Sequence, residues 1–294
     1  MSRPTRRDFI RSSTGLAVAG VVGSGHAGPT EEHQVRSRVV LVRDRRVVAD
    51  DGTIDGEVLH GMLNRGLVAL LESEDSATAW TKLFGSEDVV GIKSNVWSRL
   101  PTPPALETAI RSELEAAGVP SAKISVEDRG VRRDPVMTGA TALINVRPMR
   151  THHWSGLGTC IKNVITFVPR PSDYHADACA SLGALWQLPE IKDKVRLNVL
   201  VMLTPQFHSV GPHSFSEKFV WTYGGLLLGT EPAPVDAVGS WIIEAKREQF
   251  FGKPKPIAPP PHHIQIAGDR YGLGATSREG IELIRLGWND GALI

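Results

Sequence analysis

Short apolar runs alternate along the chain with segments of helical periodicity. Runs typical of buried strands cover 37–42, 89–92, 123–126, 142–146, 195–203 and 224–229. Helical spacing of apolar residues covers 55–71, 77–84, 104–117, 176–188 and 235–247. Strand, helix and strand in this order predict right-handed βαβ units. We therefore expect an α/β fold, with a mostly parallel sheet and helices on both faces.

Boundary signals refine these elements. Asp55 and Thr102 are the expected N-caps of two helices, and Asp236 is expected to open a third. Residues 263–267 predict a last strand, and residues 277–286 predict a final short helix. The folded part is expected over 28–294, as one domain or as two lobes, 36–140 and 141–294. The chain contains neither a dinucleotide-binding glycine fingerprint nor a phosphate-binding P-loop motif.

The first 27 residues resemble a twin-arginine (Tat) signal peptide. Arg6 and Arg7 precede Phe9, a mildly apolar run follows over 15–22, and Gly25-His26-Ala27 fits a signal-peptidase site. The run is too short to span a bilayer, which takes roughly 20 apolar residues. We expect recognition by the Tat translocase, cleavage near Gly28, and a periplasmic or other extracytoplasmic location.

The charge that remains after this cleavage is nearly balanced. Residues 1–27 hold four of the 33 basic and one of the 32 acidic residues, which leaves 29 and 31. A nucleic-acid-binding domain usually has a clear basic excess, so a nucleic-acid partner is not expected. No later stretch is long and apolar enough to predict a membrane span in the mature chain.

Only two cysteines, Cys160 and Cys179, are present. An iron–sulfur cluster held within this chain is therefore not expected, because such clusters use four cysteine ligands. In an oxidising compartment the two thiols can form a disulfide, and the sequence leaves open whether they do.

Polar residues are concentrated between Arg147 and His175, directly after the apolar run 142–146. Open α/β sheets bind ligands at the carboxyl ends of their strands. We therefore expect the functional centre to lie here. The segment contributes cations, imidazoles and an amide: Arg147, Arg150, His152, His153, Lys162, Asn163, Arg170 and His175.

Several motifs, in order, resemble the DUF362 family, a broad group of prokaryotic proteins without a settled function. They are GIKSN at 91–95, Glu127-Asp128 after a strand, NVRPMRTHHWSGLGTCIKN at 145–163 followed by His175, Gly211-Pro212, LLLGTEPAPVDAVGS at 226–240, and residues 263–284. The resemblance covers roughly 88–294. Departures are Arg150 where the family has lysine, Thr204-Pro205 where many members have an acid, and the lack of ferredoxin-like cysteine motifs.

Two sites are predicted from these residues. The first is a divalent-metal site of His152, His175 and Asp236, because neutral imidazole and carboxylate are common metal ligands and three strand exits can converge. Asp128 is an alternative carboxylate for it. The alternative role for both histidines is to cap helices or bind backbone carbonyls.

The second predicted site binds an anion. Lysine and arginine beside amides suit a carboxylate or phosphate, and the residues are Lys93, Asn95, Arg150, Lys162 and Asn163. The alternative is a structural network in which these cations pair with Asp128 or Asp173. Lys162 can also extend along an apolar surface toward water.

Together these features predict an exported enzyme that acts on a small anionic substrate by metal-assisted or acid–base chemistry. His152, Lys162 and Lys93 are its expected catalytic residues, with the histidine ligating metal or moving protons and the lysines holding the anion. The alternative is a non-catalytic periplasmic binding protein for an anionic solute or cofactor.

Overall fold

The computed structural model describes residues 36–209 and 215–294, and in it eight strands form one mixed, mostly parallel sheet. The expected α/β fold is confirmed. The strand order is β3-β2-β4-β6-β7-β1-β8, and β5 pairs with β4. The strands are β1 (Ser37–Arg43), β2 (Val90–Lys93), β3 (Ile124–Glu127), β4 (Ala142–His152), β5 (Gly156–Gly158), β6 (Val195–Gln206), β7 (Gly225–Gly229) and β8 (Ile281–Gly287).

Strand direction brings several polar chain segments to one edge of the sheet. β2 is parallel to β3 and β4, and β4 is parallel to β6. β7 is antiparallel to both β6 and β1, and β8 is parallel to β1. The carboxyl ends of β2, β3, β4 and β6 therefore lie at the same edge, where open α/β sheets usually bind ligands.

Helices cover both faces of this sheet. They are α1 (Gly56–Leu70), α2 (Ser76–Leu83), α3 (Pro104–Ala116), α4 (Pro135–Thr138), α5 (Cys160–Asn163), α6 (Pro232–Phe251) and α7 (His262–Tyr271). α1, α2 and α3 bury apolar residues with one face of the sheet, and α5, α6 and α7 do so with the other. In the part of the chain described, no helix is both long and apolar enough to cross a membrane.

Residues Val35–Ile294 form one compact unit. β1, from the first predicted lobe, lies between β7 and β8 of the second, and β2 pairs with β4. The segments 36–140 and 141–294 therefore share one sheet and its two apolar layers.

Helix starts follow the sequence prediction at one position and depart from it at another. Asp55 caps α1 as expected, since its carboxylate accepts from the backbone N–H groups of Glu57 and Val58. Thr102 does not cap α3, which begins after Pro103 without a side-chain cap. The Thr102 hydroxyl instead accepts from the backbone N–H of Asn95 at 3.1 Å and so holds the loop that follows β2.

The last predicted strand is a helix in the structure, and the last predicted helix is a strand. Residues 263–267 belong to the helix α7, in which Ile264 and Ala267 are buried at helical spacing and Gly272 ends the helix with φ 65°. Residues 277–286 contain all but the last residue of β8, which pairs in parallel with β1. Pairing with a strand distant in sequence decides the β8 conformation, and a local pattern contains no information about it.

β4 is much longer than the predicted strand 142–146. It continues to His152 because β5 pairs with Arg150, Thr151 and His152, while β6 continues beside it as far as Gln206. The pairing of β4 with β6 shifts register between Pro148 and Arg150. The first polar residues of the central stretch therefore lie on a strand rather than in a loop.

The predicted helix 176–188 is irregular. Ala176–Cys179 form a short helical turn with left-handed backbone inside it, here called the left-handed turn, and a 3₁₀ helix follows over Ala180–Gln187. Asp177, Ala178 and Cys179 have φ values of 48°, 49° and 65°. Left-handed backbone costs an L-residue about 1–2 kcal/mol. Three such residues in succession without glycine place considerable strain beside the polar centre, and strain of this kind is concentrated at functional sites.

We expect Ala178→Gly to increase the free energy of unfolding by about 1 kcal/mol, because glycine adopts positive φ without a Cβ clash. Ala180→Gly is the matched control, since Ala180 is also partly buried but has φ −53°. That variant should lose about 0.5–1 kcal/mol. Urea unfolding of the two variants measures both effects, and equal destabilisation by the two substitutions would contradict the left-handed turn.

Candidate functional site

Four buried cations gather at the carboxyl ends of the strands. Lys93 ends β2, Arg147 and Arg150 lie on β4, and Lys162 lies on α5. All four side chains are at most 5% exposed. We call these residues the cationic cluster. Asn95 and Asn163 are buried with them, so the structure brings together all five residues predicted to bind an anion.

Asp236 positions α5, which bears Lys162 and Asn163. Its two carboxylate oxygens accept from the backbone N–H groups of Cys160 and Ile161, each at 2.8 Å. The prediction that Asp236 opens its own helix is wrong. α6 begins after Glu231, and Asp236 lies inside it, fully buried. Burial raises the pKa of this carboxyl to about 6, against the opposing effect of the hydrogen bonds that it accepts.

Asn163 connects the strands at the centre of the cluster. Its amide nitrogen donates to the Asn145 side-chain oxygen at 2.8 Å and to the Val146 carbonyl at 3.0 Å. Its side-chain oxygen faces three donors, each at 3.4 Å, from Lys93, Asn95 and Arg147. Contacts of this length are weak hydrogen bonds, so the donors remain available for a better acceptor.

Lys93 is paired. Its ammonium lies 2.6 Å from Asp128 Oδ1 and 2.6 Å from the Ser94 carbonyl oxygen, both buried. The alternative of ion pairing with Asp128 is therefore confirmed for this lysine. Burial lowers the pKa of Lys93 to about 8, and Asp128 opposes the shift. Asp173, the other acid considered, instead pairs at the surface with Arg170.

Among the described residues, Arg150 has no such partner. Its Nε and Nη1 atoms are buried without a hydrogen bond, and its guanidinium lies over the Trp97 ring at 4.1 Å. Burial, followed by the charge of Arg147, holds the pKa of Arg150 well below its ordinary value. A buried guanidinium without a counter-ion is costly, so the residue points to an anionic ligand.

Arg147 completes the positive site. Its Nε atom is also buried without a hydrogen bond, and its guanidinium packs against Gly158 of β5. A Cβ at Gly158 would lie 2.6 Å from Arg147 Nη2, so a side chain there would displace the arginine. Glycine at this position is thus required by the close approach of the guanidinium.

Lys162 has a neutral partner. Its ammonium lies 3.8 Å from Cys179 Sγ, at the end of the left-handed turn. No carboxylate within the described residues forms a salt bridge with it. Burial lowers the pKa of Lys162 to about 8, and both arginines of the cluster act in the same direction. Lys162 does not reach solvent along an apolar surface, because it is 3% exposed.

The predicted metal site is not formed. No group of three or more His, Cys, Asp or Glu residues that could hold a metal occurs within 36–209 and 215–294. Both Asp236 oxygens bind backbone amides, and His152 Nδ1 accepts from the Trp154 backbone N–H at 3.2 Å. Asp236 and His152, which were predicted to bind one metal, therefore bind backbone N–H groups of different segments.

The histidines instead form an aromatic group at the cluster. The His175 ring stacks on Trp154 with centroids 3.8 Å apart, and the His153 ring lies 4.0 Å from Trp154. Burial and nearby cations hold the pKa of His152 far below its ordinary value, and they lower the pKa of His175 to about 4. Both imidazoles are neutral at physiological pH. Trp154 is 44% exposed, so this group borders solvent.

Sequence reasoning missed four participants in the site: Arg147, Trp97, Cys179 and Asn145. Arg147 was within the central stretch but was not assigned to a site, although it precedes Arg150 by three residues. Trp97 and Cys179 approach from separate segments. Nothing in their local sequence marks them. Both thiols, Cys160 and Cys179, are buried and free, so the disulfide left open above is not formed.

We expect Arg150→Met to increase the free energy of unfolding by about 1–3 kcal/mol in buffer without binding anions, because an apolar residue replaces a buried, unpaired charge. Arg247→Met is the matched control. Arg247 is equally buried, but its nitrogens donate to the carbonyl oxygens of Phe207, Lys255 and Pro256 at 2.6–2.9 Å. That variant should lose about 1–3 kcal/mol. Urea unfolding compares them; a large loss for Arg150→Met would mean that its charge is compensated.

No family model, curated protein or solved structure matches this chain.

Proposed function

We propose that the protein binds a small anionic compound, with a carboxylate or phosphate group, in the cationic cluster. The observation that carries the proposal is Arg150, a buried guanidinium with two nitrogens that lack partners. Planar guanidinium groups bind carboxylate and phosphate through paired hydrogen bonds. A bound anion would therefore supply the partner that the described residues do not.

The balance of buried charge supports the same proposal. The four cations of the cluster face Asp128, which is engaged with Lys93, and Asp236, which is engaged with backbone amides. Arg147, Arg150 and Lys162 are therefore left without a salt bridge among the described residues. A ligand with one or two negative charges would reduce the repulsion among them.

Beyond binding, we propose acid–base chemistry on this anion by a DUF362-like enzyme. Lys162 is the candidate proton carrier, since its pKa of about 8 is close to neutral pH. The neutral His152 ring, which accepts at Nδ1, has its proton on Nε2 and can donate from there. Lys93 is assigned to binding, because its ammonium is fixed in a salt bridge with Asp128. A non-catalytic binding protein would use the same cluster without turnover.

We further propose that this activity is extracytoplasmic. The support is the Arg6-Arg7 pair with the apolar run and the small-residue site behind it, all of which lie outside the described residues.

Sulfate is a suitable probe of the anion site, because its charge stays constant from about pH 6 to about pH 9, the range over which the lysines titrate. Saturation at one hundred times the dissociation constant should add about 2.7 kcal/mol of stability. For a chain of this size that corresponds to a rise in Tm of roughly 5–10 °C. Arg150→Met should abolish the rise. A sulfate response that is unchanged in this variant would contradict the proposed site.

The affinity for sulfate should fall with rising pH. Lys162 loses its proton near pH 8, and the neutral amine no longer attracts the anion. Isothermal titration should find binding roughly tenfold weaker at about pH 9 than at about pH 7, since one pKa unit corresponds to about 1.4 kcal/mol. Lys162→Arg keeps its charge throughout and should make this profile less steep, leaving only the contribution of Lys93, whose pKa is also about 8. A profile as steep in that variant as in the unaltered chain would contradict the role of Lys162.

Export is tested separately by replacement of Arg6 and Arg7 with lysine, which keeps the positive charge but removes the paired arginines. The precursor should accumulate in the cytoplasm, whereas the unaltered chain should appear outside it without residues 1–27. Fractionation and intact-mass measurement follow both forms. Normal export of the double-lysine variant would refute the twin-arginine assignment.

A further inference from the structure

Lys93 and Lys162 are two buried lysines with opposite surroundings. Each is at most 3% exposed. The Lys93 ammonium contacts a carboxylate and a carbonyl at 2.6 Å, and both stabilise its charged form. The Lys162 nitrogen contacts only a thiol among the polar partners described for it. The two side chains therefore differ in how their charge is compensated.

The surroundings of Lys162 favour a neutral, nucleophilic amine. Burial raises the free energy of its ammonium form, and Arg147 and Arg150 repel the same form. Burial also keeps the Cys179 thiol protonated, because it raises the pKa of this group. The thiol thus orients the amine without a negative charge that would retain its proton. Lysines activated for covalent catalysis are commonly placed beside other cations in desolvated pockets.

We propose that Lys162 is a nucleophile that forms an imine with the carbonyl carbon of a small 2-oxo carboxylate whose carboxylate is bound by Arg147 and Arg150. This inference rests on the proposed anion site and names its substrate class. A 2-oxo acid fits because its electrophilic carbon is adjacent to the carboxylate. Arg147 Nη1 lies 3.4 Å from Oδ1 of Asn163, the residue that follows Lys162 on α5, so this guanidinium lies beside the helix that bears the amine.

The step balances without an oxidant or reductant. The Lys162 nitrogen attacks the carbonyl carbon, a C–N bond forms, and the carbonyl oxygen becomes a hydroxyl group on that carbon. Loss of this oxygen as water, with the two protons that the amine contributed, leaves the C=N bond. Arg147 and Arg150 keep the carboxylate in place. Once its nitrogen takes up a proton from solvent, the imine would draw electrons from the adjacent carbon, as in other lysine-dependent reactions of carbonyl compounds.

Reductive trapping tests the proposal on the full chain. Pyruvate, glyoxylate and 2-oxoglutarate are each incubated with the protein and cyanoborohydride, which reduces an imine to a stable amine, and peptide mass spectrometry locates the adduct. We expect Lys162 to be labelled at least tenfold more than the partly exposed Lys246, with faster labelling above pH 8, where the amine is neutral. Sulfate should suppress labelling at Lys162 and leave Lys246 unaffected.

Two variants separate this inference from the anion site. Lys162→Arg should still bind sulfate but form no adduct at this position, because a guanidinium keeps the charge and lacks the nucleophile. Lys246→Arg should leave labelling of Lys162 unchanged. Sulfate binding by the unaltered protein with no adduct at Lys162 from any of the three acids would overturn the imine and leave the anion site standing. Absence of both sulfate binding and adduct would overturn the two proposals together.

Discussion

The site depends on one buried carboxylate. Asp236, inside α6, accepts from the backbone amides of Cys160 and Ile161 and thereby fixes where α5 begins. That start determines the positions of Lys162 and Asn163 one turn later, and Asn163 in turn connects α5 to β2 and β4. A helix of four residues cannot hold its own geometry, because helix nucleation is unfavourable. The hydrogen bonds from α5 to Asp236, which is distant in sequence, therefore stabilise this short helix.

The second constraint is charge. Four cations are buried at one edge of the sheet, and the structure compensates them unequally. Lys93 has Asp128, whereas Arg150 has a tryptophan face and no hydrogen-bond acceptor for Nε and Nη1 among the described residues. Elsewhere the same protein compensates a buried arginine fully, as the carbonyl contacts of Arg247 show. Arg247 has acceptors for its guanidinium, and Arg150 lacks them at Nε and Nη1 among the described residues. An unpaired buried charge reduces stability, so its presence at Arg150 supports a site where a ligand pairs with it.

The strained backbone of the left-handed turn lies next to Lys162 of the cationic cluster. The left-handed turn ends at Cys179, whose sulfur contacts Lys162, and the adjoining His175 stacks on a partly exposed tryptophan. The turn has no glycine, so its conformation is imposed by surrounding contacts rather than by local preference. A relaxed helix over this segment, which the periodicity of 176–188 predicts, would place the thiol elsewhere and remove the neutral partner of Lys162.

The sequence by itself determined the α/β class, the buried strands, the Asp55 cap and the location of the polar centre, because these depend on periodicity and on residue types close together in the chain. The residues predicted to bind an anion lie together in the structure for the same reason, since lysine, arginine and asparagine are clustered in two short motifs. Only the tertiary structure decided that Asp236 binds a helix start instead of a metal, that 281–287 pairs with β1, and that Lys93 and Lys162 differ. Each of those outcomes depends on partners more than a dozen residues away, and a local pattern cannot specify which distant group will satisfy a buried charge.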